Sequence, residues 1–319
     1  MRELSRPTVL AGLVVGVVAV SFAAILARIA MGEAPEVASA QPGYAPALAV
    51  AFWRTALGAV ALAPLAWRAQ RRNAVRLERR HHRLLLASGA FLGAHFALFQ
   101  GALALTTVAS AVTLVTVSPI FVALGSWWFL REPTDRRTWA GMAVTIVGAV
   151  VIGLADLAAV DLGRRALIGD AMAFAGALGI TGYLLIGRAA RRELPATTYS
   201  AIVFGWSAVG LLALCLALGV PLVGFTPVTW LAILGIVVGP QLLGHTIFNA
   251  LLSTVPPTVV AIVVLAEPVG AGLLAWLLLD ELPAAWFFAG APLVLVGVAV
   301  ATLRRRASRD AAQVTATEM

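Results

Sequence analysis

The residue with the clearest chemical potential in this chain is Glu267. It lies inside the apolar stretch from Ile262 to Leu279, directly before Pro268. A charged side chain at bilayer depth costs about 2.5–3.5 kcal/mol on insertion scales, and residues of this kind commonly belong to ion or substrate pathways. Two interpretations follow. Glu267 either takes up and releases a proton during a working cycle, or it is a protonated structural donor to a nearby backbone carbonyl.

A second group of polar residues has helical spacing. Gln241, His245 and Asn249 stand at positions i, i+4 and i+8, so one face of a helix carries all three. Polar groups that faced lipid would lack partners, and the stripe is therefore expected to face the protein interior. There it would bind an amide, carboxylate or amine. The structural alternative is hydrogen bonding between helices, worth about 0.6 kcal/mol per contact.

A third candidate group surrounds His95. Phe91, His95 and Phe99 form one helical stripe with Gln100 beside it, which would give a site one apolar wall and one polar handle. A hydrogen-bonded core histidine is the alternative. No Cys or carboxylate stands at ligand spacing from His95 or His245, so neither a metal nor another cofactor is expected. Three weaker candidates for substrate binding are Ser21, Thr116 and Tyr183.

Other residues have both functional and structural interpretations. Arg54 is expected near the outer end of the second apolar helix, where it would either grip an anionic group or extend to the membrane interface. Pro119 and Pro268 lack a backbone donor and would displace the carbonyl four residues earlier. Either the freed carbonyls would line a cavity and coordinate a polar substrate, or the prolines would only kink the helices for packing. The matched positions of Glu132 and Glu281 indicate loop caps or pairs between the repeats, for instance with nearby Arg131 or Arg136.

The elements that position these residues are membrane-spanning helices. The chain is 61% hydrophobic and 12% charged, a composition that a water-soluble domain of this length would not have. A spanning helix needs about 20 mostly apolar residues. Ten stretches qualify, and they predict an all-α membrane protein with spans near 8–30, 46–67, 84–105, 108–130, 138–155, 168–188, 197–219, 228–251, 257–279 and 284–303.

The arginines set the orientation of these spans. The 23 basic residues of the chain are all Arg, and most of them fall in alternate connections between the apolar stretches. Because cytoplasmic loops are enriched in basic residues, both termini are expected in the cytoplasm, with residues 304–319 as a cytoplasmic tail. The protein is therefore expected in the cell inner (plasma) membrane, in contact with the lipid bilayer. The net charge of +8 serves topology, and no nucleic-acid partner is expected.

The two halves of the chain resemble each other. An ungapped shift pairs Pro119 with Pro268 and Glu132 with Glu281, and Ser118 then stands where the second half has Glu267. The repeats are expected at 8–155 and 168–303. Since each repeat has five spans, an odd number, the second would be inserted upside down. Inverted repeats commonly build alternating-access carriers whose site lies between them near the midplane.

The chain resembles the EamA-type members of the drug/metabolite transporter superfamily. The segments that carry the resemblance are Gly101 to Ala111, Ser118-Pro119 to Glu132, Leu265-Ala266-Glu267-Pro268 to Glu281, and Trp53-Arg54. The resemblance implies a small-molecule carrier, usually an exporter of amino acids or related metabolites. It also implies a central cavity formed by helices of both repeats.

Three rival functions are open at this point. An exchanger of phosphorylated sugars or nucleotide sugars would need more than one cation at membrane depth, and Arg54 is the fair candidate. A membrane-embedded lipid-modifying enzyme would need acids, histidines or nucleophiles clustered near one interface. A sensor or assembly subunit would bind ligand without flux. Because the candidate residues are isolated and near mid-span, a carrier is expected rather than an enzyme.

Overall fold

The fold is helical throughout the part of the chain that the structure describes. The computed structural model describes residues 5–32, 40–72, 77–106, 111, 114–157, 163–279, 282–283 and 285–303. In chain order its helices are α1 (Arg6–Met31), α2 (Ala47–Arg72), α3 (Arg79–Leu103), α4 (Ser118–Leu130), α5 (Arg136–Leu157), α6 (Arg164–Arg191), α7 (Ala196–Ala217), α8 (Pro227–Leu251), α9 (Pro257–Val264), α10 (Glu267–Leu279) and α11 (Ala285–Thr302).

Eight stretches within the described residues are long and apolar enough to cross a bilayer. They are α1, α2, α3, α6, α7, α8, the pair α9 and α10 taken together, and α11. The predicted all-α, multi-pass membrane protein is therefore confirmed. Of the other two predicted spans, 138–155 coincides with α5, and 108–130 is described in part and ends in α4, a shorter apolar helix. The count of ten spans stays a prediction, and the tail at 304–319 lies outside the described residues.

The two repeated prolines begin new helices, so their interpretation as kinks in continuous helices is wrong. The alternative that freed carbonyls coordinate a substrate stays a prediction. Pro119 and Pro268 each stand in the first turn of a helix, α4 and α10. Between α9 and α10, Leu265 and Ala266 form a tight turn with hydrogen bonds to the carbonyls three residues earlier. Proline is tolerated in a first turn because the N–H it lacks would have no helical partner there. Glu267 therefore begins a new helix in the middle of a span.

The helices pack against one another in defined pairs. α1 packs on α8 and α10, whereas α6 packs on α3 and α4. α2 packs on α7, α5 on α11, and α4 on α9. The main hydrophobic core is built from α1, α2, α3, α4, α6, α7, α8 and α9. This core surrounds the polar residues of α2, α3 and α8.

Glycines bring α5 and α11 into close contact. A Cβ atom on Gly141 would lie 2.7 Å from the Gly297 carbonyl oxygen, and one on Gly148 would lie 2.8 Å from the Gly290 carbonyl oxygen. These are contacts with backbone, which has little room to move. Small residues at such crossings allow the close van der Waals packing that holds membrane helices together.

We expect Gly290→Leu to separate α5 from α11. Its Cβ would meet the Gly148 carbonyl oxygen at 2.5 Å and the Ile152 amide nitrogen at 2.9 Å, and overpacking of this kind costs about 1–3 kcal/mol. The midpoint of thermal unfolding in detergent should fall by several degrees. Gly210→Ala is the matched control, because a Cβ there meets nothing within 4 Å. Equal midpoints for the two variants would contradict the packing described.

Charged side chains join the end of α6 to neighbouring helices. The Glu132 carboxylate accepts from Arg188 Nε at 3.0 Å and from Arg192 Nη2 at 2.6 Å. Arg188 also donates to the Leu252 carbonyl, and Arg191 donates to the Asn249 carbonyl at 2.8 Å. The partners come from α6, in the second half of the chain, which agrees with the expected pair between repeats, but the named partners Arg131 and Arg136 are wrong. Glu281 lies outside the described residues.

A second charged contact ties the start of α3 to the connection between α6 and α7. His81 Nδ1 accepts from the Glu78 amide at 3.1 Å, so the neutral ring carries its proton on Nε2 and donates it to Glu193 at 2.7 Å. Arg80 adds a bond to the same carboxylate at 2.9 Å. The hydrogen bond from His81, helped by Arg80, holds the pKa of the Glu193 carboxyl below its usual value.

Acid should weaken this contact. A carboxyl with a depressed folded-state pKa stabilises the protein above the pKa of the unfolded chain, about 4.3 for Glu, and this contribution disappears as pH falls through the folded-state pKa. We expect Glu193→Gln to lower the unfolding midpoint slightly at neutral pH and to flatten its decline below about pH 5. Thermal unfolding from pH 7 to pH 3 measures this. A Glu193→Gln curve parallel to the wild-type curve would contradict the assignment.

Candidate functional site

The central residue of the candidate site is Arg54, on α2. Its side chain is 7% exposed. Its Nε donates to Gln241 Oε1 at 3.0 Å, and its guanidinium carbon lies 4.0 Å from the centroid of the Phe96 ring. The amide of α8 and the aromatic face of α3 thus fix the plane of the cation. The alternative that Arg54 extends to the membrane interface is wrong, because the side chain is enclosed by helices.

The two Nη groups of Arg54 have no hydrogen-bond partner among the described residues. Glu267 attracts the guanidinium electrostatically, but the two side chains form no direct ion pair. A cation and a carboxyl group therefore stand near each other inside the bundle with part of their bonding capacity unused. A ligand with the opposite pair of charges would complement both.

Glu267 is positioned by the break between α9 and α10. As the first residue of α10 it is partly exposed, and the positive end of that helix dipole favours a negative charge there. Its backbone carbonyl lies 3.5 Å from the Ser21 hydroxyl oxygen of α1. Gly270 leaves the space that Ser21 occupies, since a Cβ at position 270 would collide with that hydroxyl. The Ser21 hydroxyl donates to the Val17 carbonyl of its own helix at 2.8 Å, so the start of α10 meets Ser21 mainly through packing.

The stripe on α8 faces the interior, at the place where the helix changes its winding. Val237–His245 forms a π-helical segment that contains Pro240, and segments of this kind are frequent at functional sites. Gln241 binds Arg54, and the His245 ring meets Phe96 edge-on with centroids 5.4 Å apart. The spacing therefore placed Gln241 and His245 correctly beside one another. Their role in substrate binding stays a prediction.

Both ends of the Asn249 side-chain amide form hydrogen bonds within the protein. Its Oδ1 accepts from the Tyr183 hydroxyl, and its Nδ2 donates to Ser200 Oγ at 2.9 Å. The Tyr183 ring lies 6.3 Å from the His245 ring and 6.4 Å from that of Tyr199. Asn249 and Tyr183 therefore join α8, α6 and α7 beneath His245. They support the site without exposing a free polar group to it.

The His95 stripe packs mainly against α6. His95 Nδ1 donates to the Gly176 carbonyl at 2.9 Å, and its ring is nearly parallel to Phe99 with centroids 6.0 Å apart. Gly179 lies against the His95 backbone, and Gly182 lies against Phe91. This arrangement fits the core-histidine interpretation for one ring nitrogen. The Nε2 atom is the part of His95 left to meet a ligand.

The remaining candidates lie elsewhere in the bundle. Gln100 is 4% exposed, and its Oε1 has no hydrogen-bond partner within the described residues. Thr116 is 2% exposed in the turn that precedes α4. No hydrogen bond or ring contact of the described residues joins Gln100 to Arg54. The contacts therefore join Gln241 to Arg54, Phe96 to both Arg54 and His245, and His245 to Tyr183, with Glu267 in electrostatic range of Arg54.

Two members of this arrangement were undervalued by sequence reasoning. Arg54 had a signal, because it is a charged residue inside an apolar stretch, but its burial depends on partners from α3 and α8. Phe96 gave no signal of its own, since one more phenylalanine in an apolar helix is unremarkable. Throughout the described ranges, no three His, Cys, Asp or Glu side chains come close enough to hold a metal ion.

Comparison with known proteins agrees with the helical arrangement. The model of the EamA-like transporter family matches residues 9–154 and again residues 167–303. An uncharacterised transporter of Bacillus subtilis (strain 168), YwfM, is 24% identical over 215 residues, which are 63% of this chain and 66%, just under two thirds, of that protein. A solved structure titled "Crystal structure of protein" has 20% identity, a TM-score of 0.73 and coverage of 93% of this chain and 97% of its own; it supports the fold alone. Since the two family matches take in nearly the whole sequence, the chain is a member of the EamA-like transporter family.

Proposed function

We propose that this transporter exports amino acids or related small metabolites across the inner membrane by alternating access. The observation that carries the proposal is the buried guanidinium of Arg54, whose Nη groups are free of hydrogen bonds in the described structure, with the Glu267 carboxyl within electrostatic range. The α-carboxylate of an amino acid would bind Arg54, and its ammonium group would bind Glu267. Arginine suits this task because its fork matches the two oxygens of a carboxylate.

The strength of such binding suits a carrier. Hydrogen bonds to charged groups contribute about 1.5–3 kcal/mol each, and two of them approach the roughly 4 kcal/mol of millimolar affinity. Binding at that level allows release on the far side of the membrane. The ligand would also pair with both protein charges, so the loaded site would carry fewer unpaired charges through the conformational change.

We place this site between two inverted five-helix repeats, residues 8–155 and 168–303, in a ten-span protein with both termini in the cytoplasm. The division of the family match into residues 9–154 and 167–303 supports the duplication. The helix pairs support it too. If α1 to α5 correspond to α6, α7, α8, the α9–α10 pair and α11, exchanging the repeats converts the α1–α8 contact into the α6–α3 contact. It also maps the α2–α7 and α5–α11 pairs onto themselves.

The same orientation assigns a role to the contacts at the end of α6. These contacts would lie at the cytoplasmic side of the membrane. Arg188 of α6 binds Glu132, which follows α4, and Arg188 and Arg191 bind backbone carbonyls at the end of α8. Alternating access requires such contacts to form and break in each cycle. Arg191 holds the Asn249 carbonyl, and the Asn249 side chain holds Tyr183 beside His245. A continuous set of contacts therefore connects the charged residues at the end of α6 to the proposed site.

The rival carriers are less well supported by the same residues. A sugar phosphate would bring two negative charges toward Arg54, but Glu267 lies near enough to repel them. Glu267, which would repel the phosphate, would attract the ammonium group of an amino acid. The neighbouring carboxyl thus favours a zwitterion over an organic phosphate.

Counterflow in proteoliposomes tests the proposal. We expect reconstituted protein loaded with an unlabelled amino-acid mixture to concentrate labelled amino acid, and Arg54→Gln to reduce the initial rate by about tenfold or more, because a charge-assisted bond of about 1.5–3 kcal/mol is lost. Arg71→Gln is the matched control. Arg71 stacks on Trp67 at the exposed end of α2, and its loss should leave the rate unchanged. Absence of counterflow in the wild type, or chemical consumption of the amino acids, would contradict the proposal.

Proton coupling, if Glu267 mediates it, follows from competition for one carboxyl group. A proton and the substrate ammonium would occupy Glu267 alternately. We expect Glu267→Gln to weaken binding and to make the residual transport at saturating substrate independent of a pH gradient, whereas Glu267→Asp keeps the dependence. Uptake driven by imposed pH gradients measures this. Gradient-driven accumulation by Glu267→Gln at the wild-type level would show that protons move elsewhere.

A further inference from the structure

The Gln241 side chain has one satisfied end and one unsatisfied end. It is completely buried, its Oε1 accepts from Arg54 Nε, and its Nε2 has no hydrogen-bond partner among the described residues. The amide cannot be turned to relieve this, because its NH2 group would then face the N–H donor of Arg54. Buried polar groups without a partner are rare in native proteins, and each one requires an explanation.

The free donor of Gln241 lies on the same amide that holds Arg54. The guanidinium uses Nε for Gln241 and stacks on Phe96, which leaves its Nη groups for a ligand. An acceptor that binds these Nη groups therefore arrives beside an amide that also lacks an acceptor. A carboxylate suits both, since it carries about four lone-pair sites on two oxygens and donates nothing when ionised.

The surrounding chain makes room for the amide at this position. Gly58 stands one helical turn after Arg54 on α2, and a Cβ there would lie 2.9 Å from Gln241 Cγ and 3.4 Å from Phe204 Cδ2. Any larger residue at position 58 would push the amide away from the guanidinium. The glycine thus makes room for the contact between Gln241 and Arg54.

We infer that Gln241 is a specificity-determining residue. Together with Arg54 it forms a clamp that requires a carboxylate-bearing substrate and rejects the amine that remains when the carboxylate is removed. This inference rests on the proposed function and adds to it the group that selects amino acids over amines. An amine lacking the carboxylate would leave both Arg54 and the Gln241 donor without partners, which is the condition under which buried sites discriminate most strongly.

The test uses pairs of ligands that differ only in the carboxylate. The probes are L-leucine with 3-methylbutylamine, L-phenylalanine with 2-phenylethylamine, and L-lysine with 1,5-diaminopentane. Their binding to the full-length protein in detergent is measured by calorimetry for the wild type and three variants. Gln241→Glu places a carboxylate on Arg54 from within the protein, Gln241→Met removes the amide at similar volume, and Gly58→Ala displaces it.

We expect the wild type to prefer the amino acid in at least one pair by about tenfold or more, and Gln241→Glu to reverse that preference, because its own carboxylate takes the place of the ligand's. Gln241→Met and Gly58→Ala should reduce amino-acid affinity and leave amine affinity unchanged. Gly205→Ala is the control for Gly58→Ala, since a Cβ there meets only the Ala59 Cβ at 4.0 Å. A single cooperative unfolding transition for each variant shows that it is folded.

Two results would overturn the inference, and they are distinguishable. If the wild type prefers amino acids and Gln241→Glu and Gln241→Met keep that preference, Gln241 does not select the carboxylate, although the proposed function stands. If the wild type binds no member of any pair, the proposed function fails and this inference fails with it. A reversed preference, for the amine over the amino acid, in Gln241→Glu but in neither Gln241→Met nor Gly58→Ala is the outcome that a merely structural glutamine would not produce.

Discussion

The structure depends on keeping one guanidinium charged inside a helical bundle. Moving Arg54 to bilayer depth costs about 2.5–3.5 kcal/mol on insertion scales. The hydrogen bond from its Nε to Gln241 returns about 1.5–3 kcal/mol, and the contact with the Phe96 ring returns about 0.5–2 kcal/mol. The two sides are of similar size. Arg54 is therefore held in place while its Nη donors remain without hydrogen-bond partners, so a ligand can stabilise it further.

That balance explains why helices distant in sequence must meet at one point. α2 supplies the cation and, one turn later, the glycine that makes room for its partner. α3 supplies the aromatic face, and the π-helical segment of α8 supplies the amide. The break between α9 and α10 then places a carboxyl group at the start of a helix, within electrostatic range of Arg54 but without a direct bond. Each device brings a polar group to the bundle interior.

Much of this arrangement could be predicted from local patterns, and the remainder could not for definable reasons. The spacing of Gln241 and His245 identified a polar helix face, because helical periodicity is a local property. The central place of Arg54 was missed, since burial depends on α3 and α8 and a lone arginine near a helix end is equally compatible with the interface. A pair between the repeats was expected for Glu132, but the arginines named for it were nearby ones, whereas its actual partners, Arg188 and Arg192, come from α6. Long-range pairing is the information that a single sequence does not display.

The central claim is that a substrate carboxylate binds Arg54 in the middle of the bundle. An experimental structure of the wild-type protein with a bound amino acid, at a resolution that shows the ligand's orientation, tests it most directly. The account predicts the ligand's carboxylate on the Nη groups of Arg54 and its ammonium group toward Glu267. A ligand bound elsewhere, or Arg54 and Glu267 joined in a direct ion pair with the ligand excluded, would contradict it.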